Sequence, residues 1–300
     1  MPSSFPLTPA RALTLAIVSN ILGGSAYFAL ERALEVWPPA LLVEARLVLA
    51  LPLFWLSAPR GSFARATRRD AWRVILVGTV GFAAPLLISA HGLIGSDSSH
   101  GAILIGLEPV ALVLLARLFL GETLTLRQLL SFGLAITGAV AVVTDGDLGA
   151  LRALEGRVRS NALLAITALL WGIYTVAAKP TLDRVPAAAF SAATSSVAAL
   201  AVLPFALKQS SGFEVAPAFA TVPLSALVFL VLGVSYGAVV SWNLALSAIP
   251  ASRMAVLVLL QPVTGILLGA LGGEPTTPGK AFGATLVLAA IWLSADKKHG

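Results

Sequence analysis

The chain contains no cysteine, which excludes disulfide bonds and thiolate metal sites and leaves the redox compartment open. Charge is scarce as well: only 11% of the 300 residues are Asp, Glu, Lys or Arg, against roughly 25% in ordinary soluble domains. So few charges cannot cover the surface of a water-soluble fold of this length. Also missing are a Gly-x-x-x-x-Gly-Lys phosphate loop and any aspartate at mid-span, so ATP hydrolysis and an intramembrane aspartyl dyad both lack their parts. "GVSYG" at 233–237 satisfies the Gly-x-Ser-x-Gly pattern of hydrolase elbows, but that elbow needs a strand-to-helix turn, and this one lies inside an apolar run. No enzyme, no cofactor and no metal is expected.

What the chain has is apolar length, with a mean hydropathy of +0.92. Crossing a hydrocarbon core of ~30 Å takes about 20 apolar residues per helix. Ten such runs lie near 11–30, 39–57, 73–94, 99–120, 127–143, 160–178, 186–207, 222–247, 252–271 and 278–294. The expected class is an all-α integral membrane protein of ten transmembrane helices, with no separate soluble domain. The first run ends in Glu31-Arg32 without a small-residue cleavage site and is about twice as long as a signal-peptide core, so it is read as helix one.

Net charge is +6, but the placement of Lys and Arg says more than the sum. Arg60, Arg65, Arg68, Arg69 and Arg73 cluster around the link between the second and third runs. With a cytoplasmic N-terminus, 13 Lys/Arg fall on the cytoplasmic side and 6 outside, Arg46 alone lying deep in a span. That asymmetry orients the chain in a cell inner (plasma) membrane with both termini cytoplasmic. The arginine cluster reads as a topology determinant at the lipid surface, not a nucleic-acid patch. Because there is no cysteine background, single cysteines report the orientation directly. An impermeant thiol reagent outside intact cells should label Gly149→Cys and spare Ser62→Cys; the reverse pattern would overturn this topology.

The two halves resemble each other. "SSHGAILIGLEPVALVLL" (98–115) and "ASRMAVLVLLQPVTGILL" (251–268) are identical at 8 of 18 positions, Pro109/Pro262 among them. The turns that follow, Gly121-Glu122 and Gly273-Glu274, correspond, as do Gly24/Gly172 and Pro38/Pro186. Two copies of a five-helix unit are therefore expected, residues 1–150 and 151–300. An odd number of crossings inverts the second copy, the plan of secondary transporters whose sites lie at mid-membrane between the repeats. Glu108-Pro109 and Gln261-Pro262 are symmetry mates at that depth. The prolines are expected to kink their helices there, with the freed carbonyls facing protein or a water-filled cavity. Glu108, costing roughly 3 kcal/mol if charged at the bilayer centre, should face the bundle.

On these residues the chain resembles the EamA-type drug/metabolite transporter superfamily. "LIGLEPVALVLLARLFLGETLTLRQLLSFGLAITGAVAVV" and "VLLQPVTGILLGALGGEPTTPGKAFGATLVLAAIWL" are similar to its proline-to-Gly-Glu blocks. The resemblance implies two inverted five-helix repeats and transport without ATP hydrolysis, and within the superfamily the chain is most like the YddG-type exporters of aromatic amino acids. Arg46 fits an arginine common in the family's second helix. Gly23-Gly24 stands where many relatives have Trp-Gly, whereas Trp171-Gly172 keeps that pattern; His91 and Ser96-Asp97-Ser98-Ser99 are less typical.

Candidate cavity residues are Asn20, His91, Trp171, Tyr174, Tyr236 and Gln261; candidate coupling or gating residues are Glu108 and Arg46. Trp171 and Tyr174, at i and i+3, share a helix face and form either an aromatic wall for a substrate ring or bundle packing. Arg46 either pairs with Glu108 or snorkels outward. Asn20 bonds across helices or meets substrate, and His91 is a gating group or a hydrogen-bonded interfacial histidine. The Gly-x-x-x-Gly faces at Gly265/Gly269 and Gly279/Gly283 read as close helix packing, within one chain or between two. The expected activity is amino-acid export, aromatic substrates included, with protons as a candidate coupling ion and no oligomer required. The competing functions are a carrier of organic cations or other small metabolites, and a membrane scaffold or sensor without flux.

Overall fold

Prolines set the helix starts. Pro9 opens the first helix behind Thr8, whose side chain accepts from the Arg11 amide at 3.3 Å, and Pro38, Pro186 and Pro250 occupy extended N-cap positions ahead of three others. Fixed at φ near −65° and lacking an N–H, proline suits the position before or at the first turn. The computed structural model describes residues 7–94, 107–122, 125–144, 147, 149, 158–271 and 277–295. Its helices are α1 Pro9–Leu34, α2 Pro39–Ser57, α3 Arg68–Leu93, α4 Glu108–Leu120, α5 Leu126–Thr144, α6 Val158–Leu182, α7 Ala187–Ser210, α8 Thr221–Ala248, α9a Ala251–Val258, α9b Leu260–Leu271 and α10 Pro278–Ala295. The described residues contain no strand. Among the described residues six helices, α1, α2, α3, α6 (over 162–182), α7 and α8, are long and apolar enough to cross a membrane.

Two interruptions recur in both halves. The first is a π-helical stretch, Val77–Ala83 within α3 and Leu230–Ala238 within α8, each beginning at the same distance from its helix start. The second falls at the prolines and corrects the expected kink. α4 begins at Glu108 after a turn at Leu107, and Leu259 separates α9a from α9b. Pro109 and Pro262 thus sit in the first turn of a new helical segment, where a missing N–H costs nothing, instead of bending a continuous helix. The rest of the fourth run, 99–106, the Ser96–Ser99 stretch and Gly273-Glu274 lie outside the described residues.

Packing repeats with the elements. α2 lies on α7 and α5 on α10, while α3 and α4 both pack on α6, as α8 and α9b both pack on α1. Exchanging the first five elements with the last five leaves this pairing unchanged. Small residues let the packed helices approach. A Cβ on Gly24 would stand 2.7 Å from the Gln261 carbonyl oxygen of α9b, and one on Gly172 3.3 Å from the Leu112 amide of α4. A Cβ on Gly138 of α5 would meet the Gly283 carbonyl oxygen at 2.7 Å, so the Gly283 face serves packing inside the chain. Phe82, Tyr174, Phe190 and Met254 anchor the central apolar core, which sits beside the cavity.

Candidate functional site

At the centre of the bundle α1, α2, α3, α4, α6, α8 and α9b surround a cavity of about 870 Å³, mouth included. Asn20, Arg46, Glu108, Trp171, Tyr174 and Gln261 all line it. His91 and Tyr236 do not. His91 is exposed near the end of α3, its Nδ1 2.8 Å from the Leu87 carbonyl and its Nε2 3.3 Å from Gln209 Nε2. Tyr236 packs edge-on against Phe54, centroids 5.3 Å apart.

The polar lining is held from behind. Arg46 is 4% exposed and donates through Nε to Ser235 Oγ at 2.9 Å, so it neither snorkels nor forms an ion pair with Glu108 among the described residues. Ser235 is the serine of "GVSYG", and it lies in the π-helical stretch of α8. Ser19 donates to the Ala238 carbonyl at the end of that stretch, 2.9 Å away; π turns widen the ladder and leave such carbonyls free for side chains. Asn20 donates to Ala16 O at 2.8 Å and accepts from Gln261 Nε2 at 3.1 Å, tying α1 to α9b. Glu108, the mate of Gln261, is 6% exposed, and its carboxylate accepts no hydrogen bond from the described residues.

The apolar lining is an aromatic triangle. Phe82, Trp171 and Tyr174 have ring centroids 5.7–5.9 Å apart, with the Trp171–Phe82 and Trp171–Tyr174 pairs edge to face, the arrangement favoured by ring quadrupoles. Tyr174 is fixed by its hydroxyl, which accepts from Asn243 Nδ2 at 2.7 Å, while the same amide donates to Ser191 Oγ at 2.8 Å. Trp171 is only partly buried and offers its ring to the cavity. Tyr27, Phe82, Ser89 and Trp242 also line the space, and sequence reasoning missed them. No sequence signal marks Phe82 or Trp242, because the π turns of α3 and α8 shift the helical phase on which such a reading depends.

The cavity does not reach both ends equally. Along α1 it runs from Ser19 to Leu30 and along α3 from Phe82 to Ser89, within about a turn of each helix's C-terminus. On α6 and α8 it stops at Thr175 and Trp242, nearly two turns from their C-termini. The end to which the C-termini of α6 and α8 belong carries the arginine-rich link between α2 and α3 and is called the basic end below.

Residues 10–144 and 159–295 match the EamA-like transporter family. A protein of Streptantibioticus cattleyicolor described as a probable terminal-alkyne amino-acid exporter is 27% identical over 94% of this chain and 93% of its own. An uncharacterized transporter of Archaeoglobus fulgidus is also 27% identical, over 96% of this chain and 98% of its own. A solved crystal structure, 19% identical, superposes with a TM-score of 0.76 over 94% of this chain and 97% of that one, and so shares the fold.

Proposed function

The chain belongs to the EamA-like transporter family, and from that premise we propose that it is a secondary transporter of amino acids, aromatic ones included. It works by alternating access between two inverted five-helix repeats, residues 1–150 and 151–300, around the central cavity. The observation that carries this reading is the cavity's chemistry. Arg46, Glu108 and the aromatic triangle line one space, which offers a cation for an α-carboxylate, an anion for an α-ammonium and rings for a side chain. An Arg fork suits carboxylate recognition. The similarity to a probable amino-acid exporter supports the substrate class, and the low-charge helical bundle supports placement in an inner membrane with lipid as its solvent. Glu108 and the rings without Arg46 would suit an organic cation instead.

Purified protein in proteoliposomes separates these readings. Labelled phenylalanine or tryptophan should enter by counterflow, and unlabelled amino acids should compete better than amines lacking a carboxylate. Better competition by the amines would move the assignment to organic cations, and absence of flux with either class would favour the scaffold. Within the amino-acid reading, Trp171→Ala should lower kcat/KM for aromatic substrates by about 2- to 12-fold more than for alanine, the equivalent of the ~0.5–1.5 kcal/mol that an aromatic pair contributes beyond area burial. Equal loss for all substrates with a lower Tm would assign Trp171 to packing.

A further inference from the structure

An inverted duplication by itself gives a cavity no preferred side, since each end is built from the same parts. Here the described residues at the two ends differ, most sharply at one charged cluster. Asp70, 1% exposed at the start of α3, accepts from Thr67 N and Thr67 Oγ1 in a capping box. Across the repeat boundary it also accepts from Thr181 Oγ1 at 3.1 Å, from Arg184 Nε at 2.9 Å and from Arg184 Nη2. Thr181 is in the last turn of α6 and Arg184 in the link to α7. A second tie lies at the same end. Gly121 closes α4 at φ 65°, and the following Glu122 spans the Ala251 and Ser252 amides at 2.9 Å each, capping α9a.

The symmetry mates of the first cluster cannot make it. The Gly24/Gly172 and Pro38/Pro186 correspondence places Ala33 and Val36 opposite Thr181 and Arg184. The matching starts of α3 and α8 place Pro223 opposite Asp70. Among the described residues the far end joins the repeats without an ion pair: Ala40 N donates to Gln209 Oε1 at 2.8 Å, Gln209 Nε2 lies 3.3 Å from His91 Nε2, and Trp37 and Phe213 lie 5.1 Å apart.

We propose that Asp70, Thr181 and Arg184 form the gate at the basic end, a charged latch found among the described residues at that end alone, which biases the transporter toward having its cavity open at the other. The inference rests on the alternating-access reading given above. To open the basic end the repeats must separate α3 from the α6–α7 link, which strips a buried carboxylate of three hydrogen bonds and of Arg184, leaving Arg73 of its own helix at 3.9 Å as the remaining counter-ion. Among the described residues no buried ion pair opposes opening the far end.

The test uses distances, which need no substrate. In the full-length protein, spin labels on the exposed pair Ala64→Cys and Ala248→Cys span the basic end, and Glu35→Cys with Ser211→Cys span the far end. The unaltered latch should give mainly short basic-end distances. Arg184→Gln, which leaves the capping box intact, and Asp70→Asn, which keeps an acceptor for it, should each lower the ratio of short to long basic-end distances by on the order of tenfold. The expectation is set below that of a fully buried pair because Arg184 is partly exposed. Far-end distances should shorten in step, and Arg184→Lys should restore part of the original ratio. Unchanged distributions in Arg184→Gln overturn the latch, whatever Asp70→Asn does. Failure of transport with every substrate would sink the carrier reading while leaving the distance result standing.

Discussion

Glu108→Gln is expected to exchange labelled for unlabelled amino acid across the membrane yet lose all accumulation driven by an imposed pH gradient. The reason is the asymmetry between the two mates. Gln261 is neutral and already engaged with Asn20, whereas Glu108 brings a carboxylate to the cavity wall with no hydrogen-bond donor from the described residues. A charge at that depth is costly when bare, so on the proposed amino-acid carrier reading a proton and a substrate ammonium would compete for it. That competition is what a proton-for-substrate exchanger requires. The amide keeps the side chain's size and hydrogen-bonding capacity and removes only its titration. Accumulation that survives the substitution, or a parent protein indifferent to pH gradients, would remove Glu108 from coupling.

The second large effect is expected at Arg46. Its Nε is committed to Ser235, leaving the rest of the guanidinium's five donors for the cavity. If these hold the substrate carboxylate, Arg46→Gln should raise KM for amino acids by about 10- to 150-fold, the range that follows from ~1.5–3 kcal/mol for a hydrogen bond to a charged group. Transport of a matching amine without the carboxylate should fall much less. Parallel losses for both compounds, together with a lowered Tm, would assign Arg46 to the support of α8 alone.

Much of the architecture was legible because it rests on long-range composition. The all-helical class, the membrane character and the doubled plan follow from apolar run length and from prolines and glycines recurring at constant offsets. Six of the expected cavity or coupling residues converge on one space because mid-depth polar groups have nowhere else to go in a bundle this apolar. What could not be read was local. An α-helical wheel assumes 3.6 residues per turn throughout, and the π stretches at Val77–Ala83 and Leu230–Ala238 break that phase. Hence Phe82 and Trp242 were passed over, and Tyr236 was assigned to the cavity although it turns to Phe54. The start of α4 at Glu108 was hidden for a different reason: proline in a first turn and proline in a kink share one sequence signal.

The pairing of α5 with α10 has a bearing on how such a protein changes over time. These helices pack chiefly on each other, and the cavity lining includes no residue from either of them. Mutations separated by more than about 7–10 Å and sharing no partner combine additively. Changes in α5 and α10 are therefore expected to act mainly on how durable the protein is, with coupling to the cavity confined to the cluster that Ala135, Val287 and Ala290 share with Ile17 of α1 and with Leu260 and Val263 beside Gln261. A lineage that first gains robustness in the outer pair can then tolerate destabilising experiments in the pocket, so new cargo becomes reachable by single substitutions on a scaffold that need not be reinvented.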